Sequence, residues 1–141
     1  MTDRYVFICD PADQAAEKEA FALARALTDN GQKPLTYLAP GVRDFGMFDF
    51  ALDQAHIRKL INRNFVDLKI GAEEIVTYQT IRPFSVQGVV LGLRCIPEAI
   101  QKMDECVRAT DIVFVSFYAE EGKAWAKKYG AKIMSNTATV K

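Results

Sequence analysis

Two acidic clusters stand out because each closely follows a short apolar run. Asp10 and Asp13 come after Tyr5-Val6-Phe7-Ile8-Cys9, and Glu120 and Glu121 come after Asp111-Ile112-Val113-Phe114-Val115-Ser116-Phe117. If both runs are strands of one parallel sheet, their carboxyl ends are where a ligand sits. Carboxylates gathered there offer acceptors to sugar hydroxyls, an amine or a divalent cation. A glutamate among them can act as a base, or as a nucleophile toward an anomeric carbon. Glu121 and Glu120 are therefore the candidate catalytic residues, and Asp10, Asp13 and Ser116 the candidate ligand contacts. Asp13, Glu120 and Glu121 equally suit a helix start, where capping and the helix dipole favour an acid. Arg82, between Ile81 and Pro83-Phe84, adds a planar donor suited to a carboxylate or a phosphate.

Other chemistry is weakly represented. The loop after the first run contains no glycine, so neither GxGxxG nor GxxxxGK[ST] is present, and the paired glutamates oppose a phosphate at the second loop. No cofactor is assigned. One histidine and three scattered cysteines provide no standard zinc spacing, so no metal is expected. His56 lies on a helix face, distant in sequence from Ser116, and the two make no recognisable triad. Cys95 precedes a helix start at Pro97, where the dipole favours thiolate and hence thiol-based chemistry. Phe45, Phe48 and Phe50 form an aromatic cluster suited to a lid or a stacking surface, and more often found as a peripheral core or a homo-oligomer contact.

The elements that position these residues alternate. Tyr5–Cys9 reads as a doubly buried strand stopped by Asp10-Pro11. From Asp13 to Asp29, Ala16, Ala20, Leu23, Ala24 and Leu27 recur at helical spacing, with Glu17, Lys18, Glu19 and Arg25 assigned to the other face. Asp13 suits the N-cap and Gly31 the left-handed stop. Leu35–Ala39 completes a βαβ unit. A helix over Ala51–Arg63 is expected to bury Leu52, Ala55 and Leu60 or Ile61, and Glu74–Ile81 reads as a strand. Val86–Leu93 fits either a strand or a buried helical turn. Pro97 opens a helix whose apolar stripe is Ile96, Ala99, Ile100, Met103, Cys106 and Val107. A strand over Asp111–Phe117, a helix from about Ala119 to Tyr129 stopped at Gly130, and a strand over Ala131–Ser135 close the chain.

This alternation predicts the α/β class: a single three-layer domain over 1–141, with a mainly parallel sheet of five or six strands and helices on both faces, Rossmann-like or flavodoxin-like. The 141 residues carry 18 basic and 18 acidic side chains and are half apolar, which excludes disorder and fibrous repeats. Zero net charge removes any broad attraction to nucleic acid or anionic lipid. The longest uncharged apolar run, Val86–Leu93, is far shorter than the roughly 20 residues that span a bilayer. The N-terminal run is too short for a signal-peptide core. A cytoplasmic location and a small polar metabolite as partner are the expectation.

Three families are partly echoed. "YVFICDPADQ" with "VFVSFYAEEGKAWAKKYGAKIMS" resembles a response-regulator receiver domain, which implies a signalling or assembly module working through Phe45–Phe50. The receiver's phospho-acceptor aspartate has no counterpart at the end of Glu74–Ile81, nor its lysine at Ser135-Asn136. With "CIPEAIQKMDECVRATDIVFVS" added, the chain is similar to the nucleoside 2-deoxyribosyltransferases, small enzymes with a carboxylate nucleophile near the start of a late helix. That resemblance implies Glu121 as the nucleophile and a nucleoside or sugar-like ligand. The order of elements also resembles the N-terminal half of a two-domain glycosyltransferase.

Overall fold

The computed structural model describes residues 2–11, 13–30, 32–41, 43–63, 65–67 and 72–137. Among the described residues, seven strands form one sheet: β1 (Asp3–Ile8), β2 (Leu35–Leu38), β3 (Phe65–Asp67), β4 (Ala72–Val76), β5 (Gly88–Gly92), β6 (Ala109–Ser116) and β7 (Lys132–Asn136). Their order is β3-β4-β2-β5-β6-β1-β7. Six strands run parallel and β3 pairs antiparallel with β4 at one edge. The three-layer α/β plan is the expected one, with this short edge strand added to the five or six anticipated. The strands that open the βαβ unit, β1 and β2, are parallel but not adjacent, because β6 and β5 lie between them.

The sheet is covered, among the described residues, by four helices: α1 (Gln14–Leu27), α2 (Gln54–Arg63), α3 (Pro97–Asp104) and α4 (Ala119–Tyr129). The chain moves along the sheet in one direction from β1 to β2 and in the other from β5 to β6 and β7. If every crossover has the same hand, these two groups of helices must cover opposite faces. The two cores are divided in that way. Ala20, Phe21 and Ala24 of α1 and Ile57 and Leu60 of α2 pack with Phe7, Tyr37, Leu91 and Val113. Met103 of α3 and Trp125 of α4 pack with Val6, Ile8, Val90, Ile112 and Phe114 on the other side.

Local chemistry explains where the elements stop. Asp13 caps α1 by accepting from the Ala16 amide at 3.1 Å. At its far end Asp29 (φ 55) and Asn30 (φ 58) take left-handed conformations, as short polar side chains tolerate; Gly31 lies outside the described residues. The Glu74–Ile81 strand ends early, at Val76. Thr77 and Thr80 fold the next residues into a turn, with the Thr77 amide donating to Thr80 Oγ1 at 2.9 Å and the Ile81 amide to the Thr77 carbonyl at 2.9 Å. Val86–Leu93 resolves as the strand β5. Gly88 at its start has φ 76, and a Cβ there would collide with the Pro34 carbonyl. That close approach lets the Val89 amide donate to the same carbonyl at 2.9 Å.

Three burial expectations change. α2 starts at Gln54, not Ala51, because Asp53 Oδ1 accepts from the His56 amide at 2.8 Å and caps it there. The buried face then carries Ile57 and Leu60, while Ala55 turns to solvent. Ile96 and Val107 flank α3 and are 46% and 66% exposed, since they fall outside the helical turns that carry Ala99 and Met103 inward. Glu17, assigned to the solvent face of α1, is fully buried.

No α-helix is inserted between β4 and β5; residues 77–87 contain only a 3-10 turn, Pro83–Ser85. Among the described residues, no helix is long and apolar enough to cross a membrane.

Candidate functional site

Ligands in open α/β sheets collect at the carboxyl edge, where neighbouring strands send their continuations to opposite faces. Here such reversals fall between β1 and β6, where α1 and α4 leave to opposite faces, and between β2 and β5. The chain after β2 enters a 3-10 segment (Arg43–Phe48) on the α1/α2 side, and the chain after β5 enters α3 on the other side. The residues at this point are Leu93, Arg94, Cys95 and Ile96.

Arg94 organises the edge. Its backbone is left-handed (φ 52), a conformation that costs a non-glycine residue free energy and persists only where side-chain contacts hold it. Nη2 donates to Glu17 Oε1 at 3.0 Å and Nε to Oε2 at 3.4 Å. The guanidinium also lies between two rings, 5.4 Å from the centre of Phe48 and 5.3 Å from that of Phe117. A planar delocalised cation suits that sandwich, and its partner carboxylate is wholly buried beneath it.

Beside Arg94 is a cleft of about 300 Å³, with walls that include Cys95, Pro97, Phe117, Tyr118 and Glu121. It adjoins an apolar recess of about 80 Å³ formed by Leu38, Pro40, Tyr78 and Ala99, with Arg94, Cys95 and Ile96 shared between the two. The first size is at the lower end of small-molecule sites. Neither α3 nor α4 has a side-chain cap at its start, so the first-turn amides of both helices are left for water or a ligand.

Glu121 is the carboxyl group on the wall. Its partial burial raises its pKa above the ordinary carboxylate value, since the charged form loses hydration. Cys95 responds in the direction opposite to the one its helix-start position suggests. Burial first, then the charges of Glu121 and Asp104, push the thiol up to about 12, and outweigh any thiolate stabilisation by the α3 dipole. Burial likewise pushes Cys9 to about 12 and Cys106 to about 11.

β1 and β6 bring Asp10 and Ser116 to neighbouring strand ends, with the Cys9 amide donating to the Ser116 carbonyl at 3.0 Å, but the grouped residues have different surroundings. Of Asp10, Ser116 and Glu121, only Glu121 lines the cleft. Ser116 is buried beneath Gly122, where a Cβ would stand 2.7 Å from Ile8 Cγ1 and 3.2 Å from Ser116 Cβ. Its hydroxyl donates to the Tyr118 carbonyl at 2.9 Å and accepts from the Tyr118 amide at 3.3 Å, closing a local turn. Asp13 uses one oxygen for its cap and the other to accept from Thr137 Oγ1 at 2.5 Å, and these bonds, the Thr137 one foremost, hold its pKa low. The Asp10 carbonyl accepts from the Asp13 amide at 2.9 Å, and Asp10 lines neither cavity of this edge. Glu120 is exposed in the first turn of α4. Arg82 is remote from the edge, because residues 77–87 carry the chain back to the amino end of β5. Among the described residues, no group of three His, Cys, Asp or Glu side chains could hold a metal ion.

Phe45 and Phe48 are not a surface. Both are fully buried, in ring contact with Phe21 and with each other, and only Phe50 is partly exposed. Within the Phe45–Phe50 segment the large apolar side chain that reaches solvent is Met47, 36% exposed, and not Phe45 or Phe48.

Glu17 and Arg94 are the residues that sequence reasoning missed. The signal was present: Glu17 falls at the spacing of Ala16, Ala20, Phe21 and Ala24, so it belongs on the buried stripe, where a charge needs a partner. His56 also has a partner. Its Nε2 lies 2.8 Å from Glu73 Oε1, to which Tyr37 Oη donates at 2.6 Å, and Arg25 is 3.5 Å from the other oxygen. Glu73 is 1% exposed and sits at the amino end of β4, away from the cleft.

No protein-family model matches the chain, and no curated protein matches it.

Proposed function

We propose that the chain binds a small, uncharged, ring-bearing polar metabolite in the carboxyl-edge cleft, a nucleoside or sugar-like molecule, and that Glu121 exchanges a proton with it. The observation carrying this reading is the placement of Glu121 on the wall of a cleft of about 300 Å³, with burial raising its pKa. A carboxyl group that holds its proton longer than usual is suited to donating a hydrogen bond or proton to a leaving group. A carboxylate nucleophile needs the opposite shift. Glycosyl-bond chemistry with Glu121 as the acid therefore fits better than Glu121 as a nucleophile, and Glu120 in solvent has no part in it. Phe117 and Tyr118 supply aromatic surface for a base or sugar ring, and the Arg94 sandwich keeps that wall rigid.

The test is titration of nucleosides, deoxynucleosides and free sugars into the protein, followed by chromatography for released base or transferred sugar. Binding that broadens or shifts the amide signals of Tyr118 and Glu121, with turnover lost in Glu121→Gln, is the expected result. Absence of binding by the whole panel, or turnover unchanged in Glu121→Gln, overturns the reading.

A further inference from the structure

A second concave region lies elsewhere. It is a groove of about 520 Å³ on the α3/α4 face of β2 and β4, the part of the sheet over which the β4-to-β5 connection places no helix. Its polar lining includes Thr36, Glu74, Arg82, Ser85 and Gln87.

Three observations make this groove a site and not only an uncovered patch. Thr36 is 5% exposed, yet its hydroxyl has no hydrogen-bond partner among the described residues and faces the groove. No fully buried side-chain N or O atom among the described residues lacks a partner, so this hydroxyl meets solvent through the groove and is open to a ligand there. Glu74 is the residue in register with Thr36 on the neighbouring strand, so hydroxyl and carboxylate stand side by side on the same face. Arg82 lines the same groove from the 77–87 segment and makes no ion pair with Glu74 or with any other acid among the described residues. The groove thus has a negative pole with an adjacent hydroxyl and a separate positive pole, both unneutralised.

We propose that this groove binds a small zwitterion, an α-amino acid or a dipeptide, with its ammonium group on Glu74 and Thr36 and its carboxylate on Arg82. A planar guanidinium meets a carboxylate through two parallel N–H donors, and an ammonium group supplies the three donors that a carboxylate and an otherwise unpaired hydroxyl accept. A nucleic acid or a sugar phosphate satisfies only Arg82 and brings phosphate beside Glu74.

The experiment is an amide-detected NMR titration of the whole chain with pooled L-amino acids and with glycylglycine, repeated with N-acetylated and C-amidated forms. Shifts at Thr36, Glu74, Arg82 and Gln87 are expected with the free zwitterions. Affinity is expected to fall about tenfold or more in Glu74→Gln, in Arg82→Gln and on blocking either terminus. Thr36→Val, which removes the hydroxyl at similar volume, is expected to weaken binding without changing the fold. Glu121→Gln is expected to leave it unchanged, which separates this groove from the carboxyl-edge cleft. No shift with any zwitterion, equal binding of blocked and free forms, or binding of inorganic phosphate alone each overturns the proposal.

Discussion

Arg94 at the end of β5 and Glu17 in the first turn of α1 form a two-point ion pair, 3.0 and 3.4 Å, across the carboxyl edge of the sheet. Glu17 is fully buried and the Arg94 side chain is 29% exposed, so the carboxylate depends on this one cation for most of its compensation. The pair ties the start of α1 to the strand end that forms the cleft wall, and it holds Arg94 in its left-handed backbone.

Removing one partner of such a pair leaves an uncompensated charge in the interior. Arg94→Met is expected to destabilise the protein by roughly 3–5 kcal/mol, whereas Glu17→Met with Arg94→Met together is expected to cost far less than the sum of the single changes. Equilibrium urea unfolding of the four proteins measures this. Additive effects would show that the two side chains act independently and would refute the coupling.

How much of this was legible in the sequence depends on which force set each feature. Doubly buried strands such as Val6-Phe7-Ile8 and Ile112-Val113-Phe114 are visible because burial on both faces demands continuous apolar residues. The Asp13 cap, Pro97 at a helix start and Gly130 (φ 64) at a helix end are visible because each is a local backbone requirement. Which strand ends meet at the carboxyl edge depends on strand order, which no local pattern encodes. With the strand character of β5 undecided, its end at Arg94 could not be recognised as a site. Arg82 took that place, although its segment runs back toward the amino edge.

The Glu73 cluster makes stability depend on acid. Burial alone would raise the Glu73 pKa, but hydrogen bonds from His56 and Tyr37 and the nearby Arg25 charge outweigh it and hold the pKa below the ordinary 4.5. A depressed folded-state pKa contributes stability that is fully present above the unfolded value and is lost as pH falls through the folded one. Stability is therefore expected to decline below about pH 4.5. Urea midpoints collected from neutral pH downward check this, and the acid slope is expected to be shallower in Glu73→Gln. His56→Ala removes one of the lowering hydrogen bonds and is expected to raise the Glu73 pKa, moving the acid transition upward. An identical slope in Glu73→Gln would assign the acid response to other groups.

The thiols give a direct reading of the cleft. With Cys95 pushed up to about 12, mainly by burial and then by the Glu121 charge, native protein is expected to react slowly with iodoacetamide at neutral pH and quickly once unfolded. Glu121→Gln removes the second of those influences and is expected to speed alkylation of Cys95 without affecting Cys106, whose pKa has no Glu121 contribution. Mass spectrometry of the alkylated peptides separates the sites. Rapid labelling of Cys95 in the native protein would instead restore thiol chemistry as a reading of this edge.

Phe48 distinguishes a core from an interface. Its ring is fully buried, 5.3 Å from Phe21 and 5.2 Å from Phe45 between centres, and its face supports the Arg94 guanidinium at 5.4 Å. Phe48→Ser removes a large apolar side chain, leaves a cavity and places a hydroxyl in it. A loss of about 3–5 kcal/mol is expected, the range found for truncating buried aromatics. Because the contacts lie within one chain, that loss is expected to be the same at low and high protein concentration. An oligomer held together by Phe48 would instead show a midpoint that rises with concentration in the parent protein and loses that dependence in the variant. Urea unfolding at two concentrations, paired with light scattering, measures both quantities. The expected pattern is lower stability in the variant with no change in mass, since a side chain that fills the space between α1 and the 3-10 segment has no area left to offer a second molecule.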